Sequence, residues 1–499
     1  MLRLISLRCL AIAGALALAS VSPSLHAAPT HPVVPAAPAA PQIPSPRASV
    51  ADFGAVPDGQ TLNTTAFARA LAALADQGGG TLVVPPGIWL TGPIELRSRI
   101  RLHLAAGAVI QFSRDPSLYP MRVFDAHGEK SVDTTSPLSG NQLEDIAITG
   151  AGVIDGGGDA WRPVKKSKVT DPFWKALVAS SGVLNAKGDE WCPSQVGFDG
   201  AAAVQALEKK GSLNPADYEP YRIFLRPRLV RLFECRRVLL EGVTFRNAPN
   251  WTIHPWLCED VTLRDVKIFN DRWAQNSDAL DVDSCRRVHV RGCIVATGDD
   301  GLCIKSGLNE AGRRIGVPSE DVLIEDCTVY EGHGGVTIGS EMSGGVRNML
   351  VQNCTFIGTD IGLRFKTARG RGGVVENIHL RGIHMTGIEG SAIDFNFFYF
   401  SESQATAAVP PVTAGTPTFR NILFEDIVSR GSQAAFTLRG LPEMPLRDIT
   451  FRDVSLSATH GADLAYADGI VFEHVSIHPS EGAAVKTTQV LNSKLELSP

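Results

Sequence analysis

An all-β fold is predicted for this chain, a single-stranded parallel β-helix in which coils stack into a solenoid. Three observations predict it. A short phrase of pattern apolar-x-apolar-x-x-apolar returns nine times, starting at Val238, Val261, Val288, Val322, Met349, Ile378, Ile422, Ile449 and Ile470. The starts lie 21 to 44 residues apart, a period at which one repeat makes one coil and only stacking buries its apolar face. Polar residues also align between copies, and in a stack aligned residues become neighbours at roughly 4.8 Å.

The elements follow in order. Residues 1–27 read as a secretory signal peptide: Arg3 and Arg8 open it, 10–19 is apolar, and Ala27 and Ala28 offer a cleavage point. The Pro/Ala-rich segment 28–48 reads as an extended, unfolded linker. From residue 49 to 499 the chain reads as one β-helix domain. Residues 50–55 form a strand leading to an Asp58-Gly59 turn, and Thr64 or Thr65 caps a helix with apolar positions Phe67, Leu71 and Leu74. That helix plugs the open end of the solenoid, covering apolar surface and a sheet edge. Strand-like runs at 81–84, 100–104 and 146–149 are early coils. The pattern fails between 155 and 228, an insertion with some helix, and again in the Pro/Thr/Ala loop 401–418. A solenoid escapes the usual size limit of a single core because its core grows only in length.

Composition excludes several classes. The formal charge is −5, and losing the signal removes two arginines and no acids, so nothing favours nucleic acid. Without the signal the chain has no membrane-spanning run. Eight cysteines remain after the signal. Cys293, Cys327 and Cys354 occupy one slot of three consecutive copies, where stacked Cβ atoms lie at strand spacing, wider than a relaxed disulfide prefers; they read as buried thiols. No Cys/His spacing resembles a zinc site.

Each copy is followed by a second strand that aligns across coils. Alternation sends one row outward, namely Asp281, Cys303, Thr337, Arg364, Asp394 and Thr437. Beside it runs Asp283, Lys305, Gly339, Lys366, Asn396 and Arg439. At the turn entering this strand lie Asp278, then Asp299-Asp300, then His333, which aligns with Asp299. Any one of these motifs is commonly a turn or a solvated face. Their joint position on consecutive coils makes them a site. Close carboxylates repel, so at least one should keep its proton to higher pH, the condition for a general acid beside a general base. Arg364 and Lys366 project on the same side and suit an anionic substrate.

On the motifs Asn276-Ser277-Asp278, Gly298-Asp299-Asp300, Gly332-His333-Gly334 and Arg364-Phe365-Lys366, the chain resembles glycoside hydrolase family 28, the polygalacturonases that cut pectin. Ser277 replaces the family's usual Thr, and Phe365 its Ile. The resemblance implies a right-handed helix, no cofactor or metal, and hydrolysis of α-1,4-galacturonosyl linkages with inversion. It makes Asp299 the general acid, and Asp278 and Asp300 the pair that activates water. His333 would tune the acid or hold the sugar, and Arg364 and Lys366 would grip the galacturonate carboxylate. Asn276, Lys305 and Tyr399 join the substrate-binding set, Tyr399 standing for the family's subsite tyrosine. Acid and base one coil apart fit the ~6.5–9.5 Å separation that leaves room for a water.

The run 339–345 resembles the bacterial, often exo-acting branch, and the insertion with loop 401–418 is expected to wall off one end of the groove. The implied partner is a pectic polysaccharide or oligogalacturonide, met by an exported, periplasmic or extracellular monomer. A rhamnogalacturonan-directed hydrolase of the same fold, a calcium-dependent pectate lyase and a non-catalytic carbohydrate-binding solenoid are the alternatives.

Overall fold

The computed structural model describes residues 33–399 and 409–498. The signal segment 1–27 and the first half of loop 401–418 lie outside the described residues. One large parallel sheet winds along the chain, and its coils are right-handed, the hand that right-twisted strands favour. The phrase starts pair in register from coil to coil: Val238 with Val261, Val261 with Val288, Val288 with Val322, and onward through Met349, Ile378, Ile422 and Ile449.

The phrase, expected as one strand, is two in the copies from Val238 to Met349 and one continuous strand in those from Ile378 on, within Val374–Thr386, Thr418–Arg439 and Leu446–Leu491. In one coil the strands are Glu259–Arg264, Lys267–Phe269 and Leu280–Asp283. The bend inside the phrase falls at Gly242, Asp265, Gly292, Asp326, Asn353, Gly382, Asp426 and Asp453 in eight copies and at His474 in the ninth, all left-handed with φ between 53° and 75°. Only Gly, Asn and Asp enter that region cheaply, so the slot's composition marks a corner.

The third strands form the face of interest. They are labelled β1 (Val230–Phe233), β2 (Ile253–Trp256), β3 (Leu280–Asp283), β4 (Asp300–Lys305), β5 (Gly334–Gly339), β6 (Leu363–Lys366) and β7 (Ser391–Asn396). Their inward residues Val282, Ile304, Ile338, Phe365 and Phe395 are fully or almost fully buried, with the Phe365 and Phe395 rings stacked at 4.1 Å. Helix α1 (Thr64–Asp76) closes the first coil with buried Phe67, Leu71 and Leu74. Its N-cap is Asn63, whose side chain bonds Val56, Thr61 and Leu90 instead of the helix.

Three expectations are corrected. Residues 33–46 do not hang free: Ala39 and Gln42 donate backbone N–H groups to Asp260 and Asp145 (3.0 and 2.9 Å). The strand expected at 50–55 comes earlier, at Arg47–Ser49, paired with 81–83; Ser49 then caps a 3₁₀ turn over Val50–Phe53. Cys235, Cys258 and Cys285, left without partners by the sequence reading, form a second ladder in which each of the first two N–H groups meets the next sulfur at 3.4 Å. That slot, three residues before the phrase start, was legible. All eight described cysteines are buried and free.

The insertion holds helices at Asp171–Ala179 and Val196–Lys209 and a small antiparallel sheet of Val164–Lys165, Glu190–Cys192 and Val183–Leu184. An unexpected hairpin, Met121–Ala126 with Glu129–Thr134, turns on left-handed His127 and Gly128, the geometry a two-residue turn requires. No helix among the described residues is long and apolar enough to cross a membrane.

Candidate active site

Registry brings the polar residues together. In β3–β7 one outward row is Asp281, Cys303, Thr337, Arg364 and Asp394, with Asp283–Lys305 and Gly339–Lys366–Asn396 beside it. The turns entering these strands stack as well: Ala279 N–H donates to the Asp300 carbonyl (2.9 Å), and His333 N–H to that of Asp299 (2.8 Å). Ser277 fixes the first turn through the Ala274 carbonyl at 2.8 Å.

The result is a cluster of paired charges. Asp300 is fully buried and accepts from Lys366 Nζ (2.6 Å), Arg364 (3.1 Å) and Thr337 Oγ1 (3.1 Å). The Asp299 carboxylate meets His333 Nδ1 at 3.1 Å. Lys305 lies 3.4 Å from Asp278, 3.3 Å from Asp281 and 3.4 Å from Glu341, with its ammonium 4.0 Å from the centre of the Trp251 ring. Lys305, expected to bind substrate, is buried like Lys366 and is paired with three acids, whereas Lys366 is paired with Asp300. Arg364 and Lys366 face the Tyr399 ring at 5.6 and 5.1 Å, so Tyr399 does belong to the cationic side. Asn276 takes a left-handed backbone and accepts from Arg226 at 2.8 Å.

Protonation is divided unequally among the acids. Burial, then the charges of Asp299 and Asp281, push the Asp278 carboxyl well above the usual carboxylate range. Burial likewise raises Asp281 to about 7, against the pull of Lys305. For Asp300 burial also opposes ionisation, but Lys366 and Arg364 overcome it and hold the group far below the usual range. Asp299 is held low too, where burial is outweighed chiefly by the hydrogen bond with His333. Of the four acids, Asp278 and Asp281 are thus pushed towards the protonated form and Asp299 and Asp300 towards the ionised one. The reason is the partners: Asp299 has His333, while Asp278 must share Lys305 with two other acids.

The sequence reading missed several neighbours. Glu341 and Asp281 complete the Lys305 cluster. Arg226 and Lys168 come from the insertion, where no periodicity assigns a position. Among the described residues, the tightest set that could offer three metal ligands is Asp278, Asp300 and Cys303, all buried, with ligand atoms within 4.8 Å of one another. It suits a cation poorly. Lys366 already occupies Asp300, and burial drives the Cys303 thiol away from the thiolate a metal needs.

A parallel β-helix with clustered carboxylates opposite an Arg/Lys pair defines a hydrolase of polysaccharides. The model of glycosyl hydrolases family 28 matches residues 217–469, and the chain belongs to that family. It is 29% identical over 419 residues to a probable polygalacturonase of Vitis vinifera, covering 82% of this chain and 74% of the relative. To the exo-poly-alpha-D-galacturonosidase of Dickeya chrysanthemi it is 27% identical over 409 residues, 79% and 64% of the two chains. Its fold is similar to that of a hyperthermoactive exopolygalacturonase from Thermotoga maritima, with TM-score 0.76 and 32% identity over 89% of this chain and 94% of that one.

Proposed function

We propose that this glycoside hydrolase releases galacturonate units from the ends of polygalacturonate, with inversion, as an exported monomer. The observation that carries the chemistry is Asp278, Asp299 and Asp300 gathered on adjacent coils beside Arg364 and Lys366. The relatives named for galacturonan cleavage support the substrate class.

The mechanism follows from where the proton rests. In the free protein burial favours the protonated form of Asp278 and Asp281, and the bond with His333 favours ionised Asp299. A galacturonate carboxylate that draws Arg364 and Lys366 to itself takes them chiefly from Asp300 and also withdraws from Asp299 the pull of Lys366, which acts there after the His333 bond. Asp299 then takes up a proton and Asp278 loses one. Protonated Asp299 donates to the glycosidic oxygen as the C1–O bond breaks. Water attacks C1 from the opposite face and gives its proton to Asp278 or the neighbouring Asp300 pair. Return of the proton to Asp278 and of the charge to Asp299 restores the resting state.

Chain-end action has its own support. The hairpin Met121–Thr134 crosses the early end of the β1–β7 face. Phe124 packs 3.6 Å from the Arg231 guanidinium, Asp133 pairs with Arg228 and Arg231, and Glu129 reaches Arg314 at 2.9 Å on the opposite edge. That edge continues as a rim: Arg313 donates to the Gly370 carbonyl (2.5 Å), and Gly372 N–H bonds the Gly415 carbonyl (2.9 Å). The insertion walls the other edge through Arg226 on Asn276 and Phe173 on Trp273. The hairpin, which the sequence did not point to, supports a closed end of the groove.

The test is time-resolved product analysis on polygalacturonate and rhamnogalacturonan side by side. We expect early galacturonate or short uniform products from polygalacturonate with a slow fall in viscosity, initially in the β-anomeric form. Mixed oligomers with a rapid viscosity drop would overturn chain-end action. Products from rhamnogalacturonan alone would move the substrate, and unsaturated products absorbing in the ultraviolet would mean elimination.

A further inference from the structure

The insertion does more than wall the groove. Lys168 closes the 3₁₀ turn Lys166–Lys168, held by the Lys166 N–H bond to the Asp189 carbonyl (2.9 Å) and by Val169 against the small core of Val164, Trp174 and Trp191. From there its ammonium reaches His333 Nε2 at 3.1 Å and the Gly298 carbonyl at 3.4 Å. On the other side of the same ring, Nδ1 faces Asp299 at 3.1 Å.

An ammonium has three donors and no acceptor. Opposite Lys168, Nε2 must therefore accept, and the ring proton of a neutral His333 belongs on Nδ1, where it is donated to the Asp299 carboxyl. We propose that Lys168 is a positioning residue that fixes this tautomer of His333 and so aims the Nδ1–H bond at Asp299. The other charges facing His333 are Asp360, 3.7 Å from Nε2, and Arg364, which bonds the His333 carbonyl at 3.4 Å. Behind Asp360 stands Arg272, which also pairs with Glu389. Burial lowers the Lys168 pKa, and Asp299 and Asp360 pull it back towards the charged form. Without the ammonium, Asp360 is the charge nearest Nε2 and favours a second ring proton there. An imidazolium beside Asp299 then favours the ionised carboxylate, which cannot act as an acid.

The assignment of Asp299 as acid rests on the function proposed above, but the tautomer does not depend on activity. The direct test is ¹⁵N NMR of the His333 imidazole, identified by its loss in His333→Ala. We expect a protonated Nδ1 and a bare Nε2 in the native protein near neutral pH, and a protonated Nε2 in Lys168→Met. An unchanged pattern in Lys168→Met overturns the proposal. In kinetics, Lys168→Met should lower kcat about tenfold with little change in KM, and shift the alkaline limb of kcat/KM to lower pH. Lys168→Arg should restore most of the rate, and Lys168→Met should add nothing in a His333→Ala background. Additive losses, or a raised KM with unchanged kcat, would instead make Lys168 a direct substrate contact. A native protein inactive on polygalacturonate would sink the proposed function while leaving the NMR result standing.

Discussion

Two strips of this solenoid share the same registry and do opposite things with charge. Along one corner, Arg236, Glu259, Arg286, Glu320, Arg347, Glu376 and Arg420 follow one another coil by coil, and opposite charges pair within the row, Glu320 with Arg286 and Arg347, and Glu376 with Arg420. Along the β1–β7 face the signs are sorted: acids crowd the coils of Asp278, Asp281 and Asp300, and Arg364 and Lys366 stand beyond them. Stacking provides proximity in both. Burial is the first cause that raises Asp278 and Asp281, and on the sorted face the like charges of Asp299 and Asp281 add to it at Asp278. Alternation makes a seam. Segregation makes chemistry.

The sharpest way to break the comparison is Asp299→Asn. Activity should fall on the order of a thousandfold, the worth of a general acid, with the thermal unfolding midpoint unchanged or slightly lowered, because the native state favours the ionised Asp299 through its bond with His333. Survival of activity would reduce the sorted face to another seam. A smaller effect is expected on the alternating strip. Glu320→Gln should cost about 1 kcal/mol in urea unfolding, since both arginine partners are half-exposed, and kcat/KM should not move. A loss of activity there would show that the two strips are not independent.

The smallest effect tests the sorting itself. Asp281 is the third cause of the raised Asp278, after burial and Asp299. Removing its charge in Asp281→Asn, and freeing Lys305 for Asp278, favours ionised Asp278. The acid limb of kcat/KM should therefore move to lower pH by about half a unit. Stability gives an independent sign. A carboxyl raised to about 7 is penalised for ionising as pH climbs from its unfolded value. Asp281→Asn should gain on the native protein between pH ~4 and ~7 and show no such gain below it. A limb that moves upward would mean that Lys305, not Asp281, sets the balance.

Much of this was written in the primary pattern. Apolar positions at fixed offsets set the register, and register placed Asp281 beside Cys303 and Arg364 beside Thr337 as the alignment required. The corner inside the phrase was legible too, in its Gly, Asp and Asn, but was read as continuous strand. Asp281 stood in the outward row without a role, because nothing in such a row says which member will be buried, and Glu341 lies outside both rows. Lys168 and Arg226 escaped notice for a deeper reason: the insertion has no repeat, so no neighbouring copy indicates where its side chains go.

By itself the sequence determined the stack, its face and the set of acids and cations that share it, because a periodic chain repeats one local conformation and translates it by one strand spacing. Tertiary structure decided which acids hold protons, which acids each lysine pairs with, and what the insertion brings to His333. Those outcomes depend on burial and on the few ångströms between charges from distant segments, quantities that no period encodes.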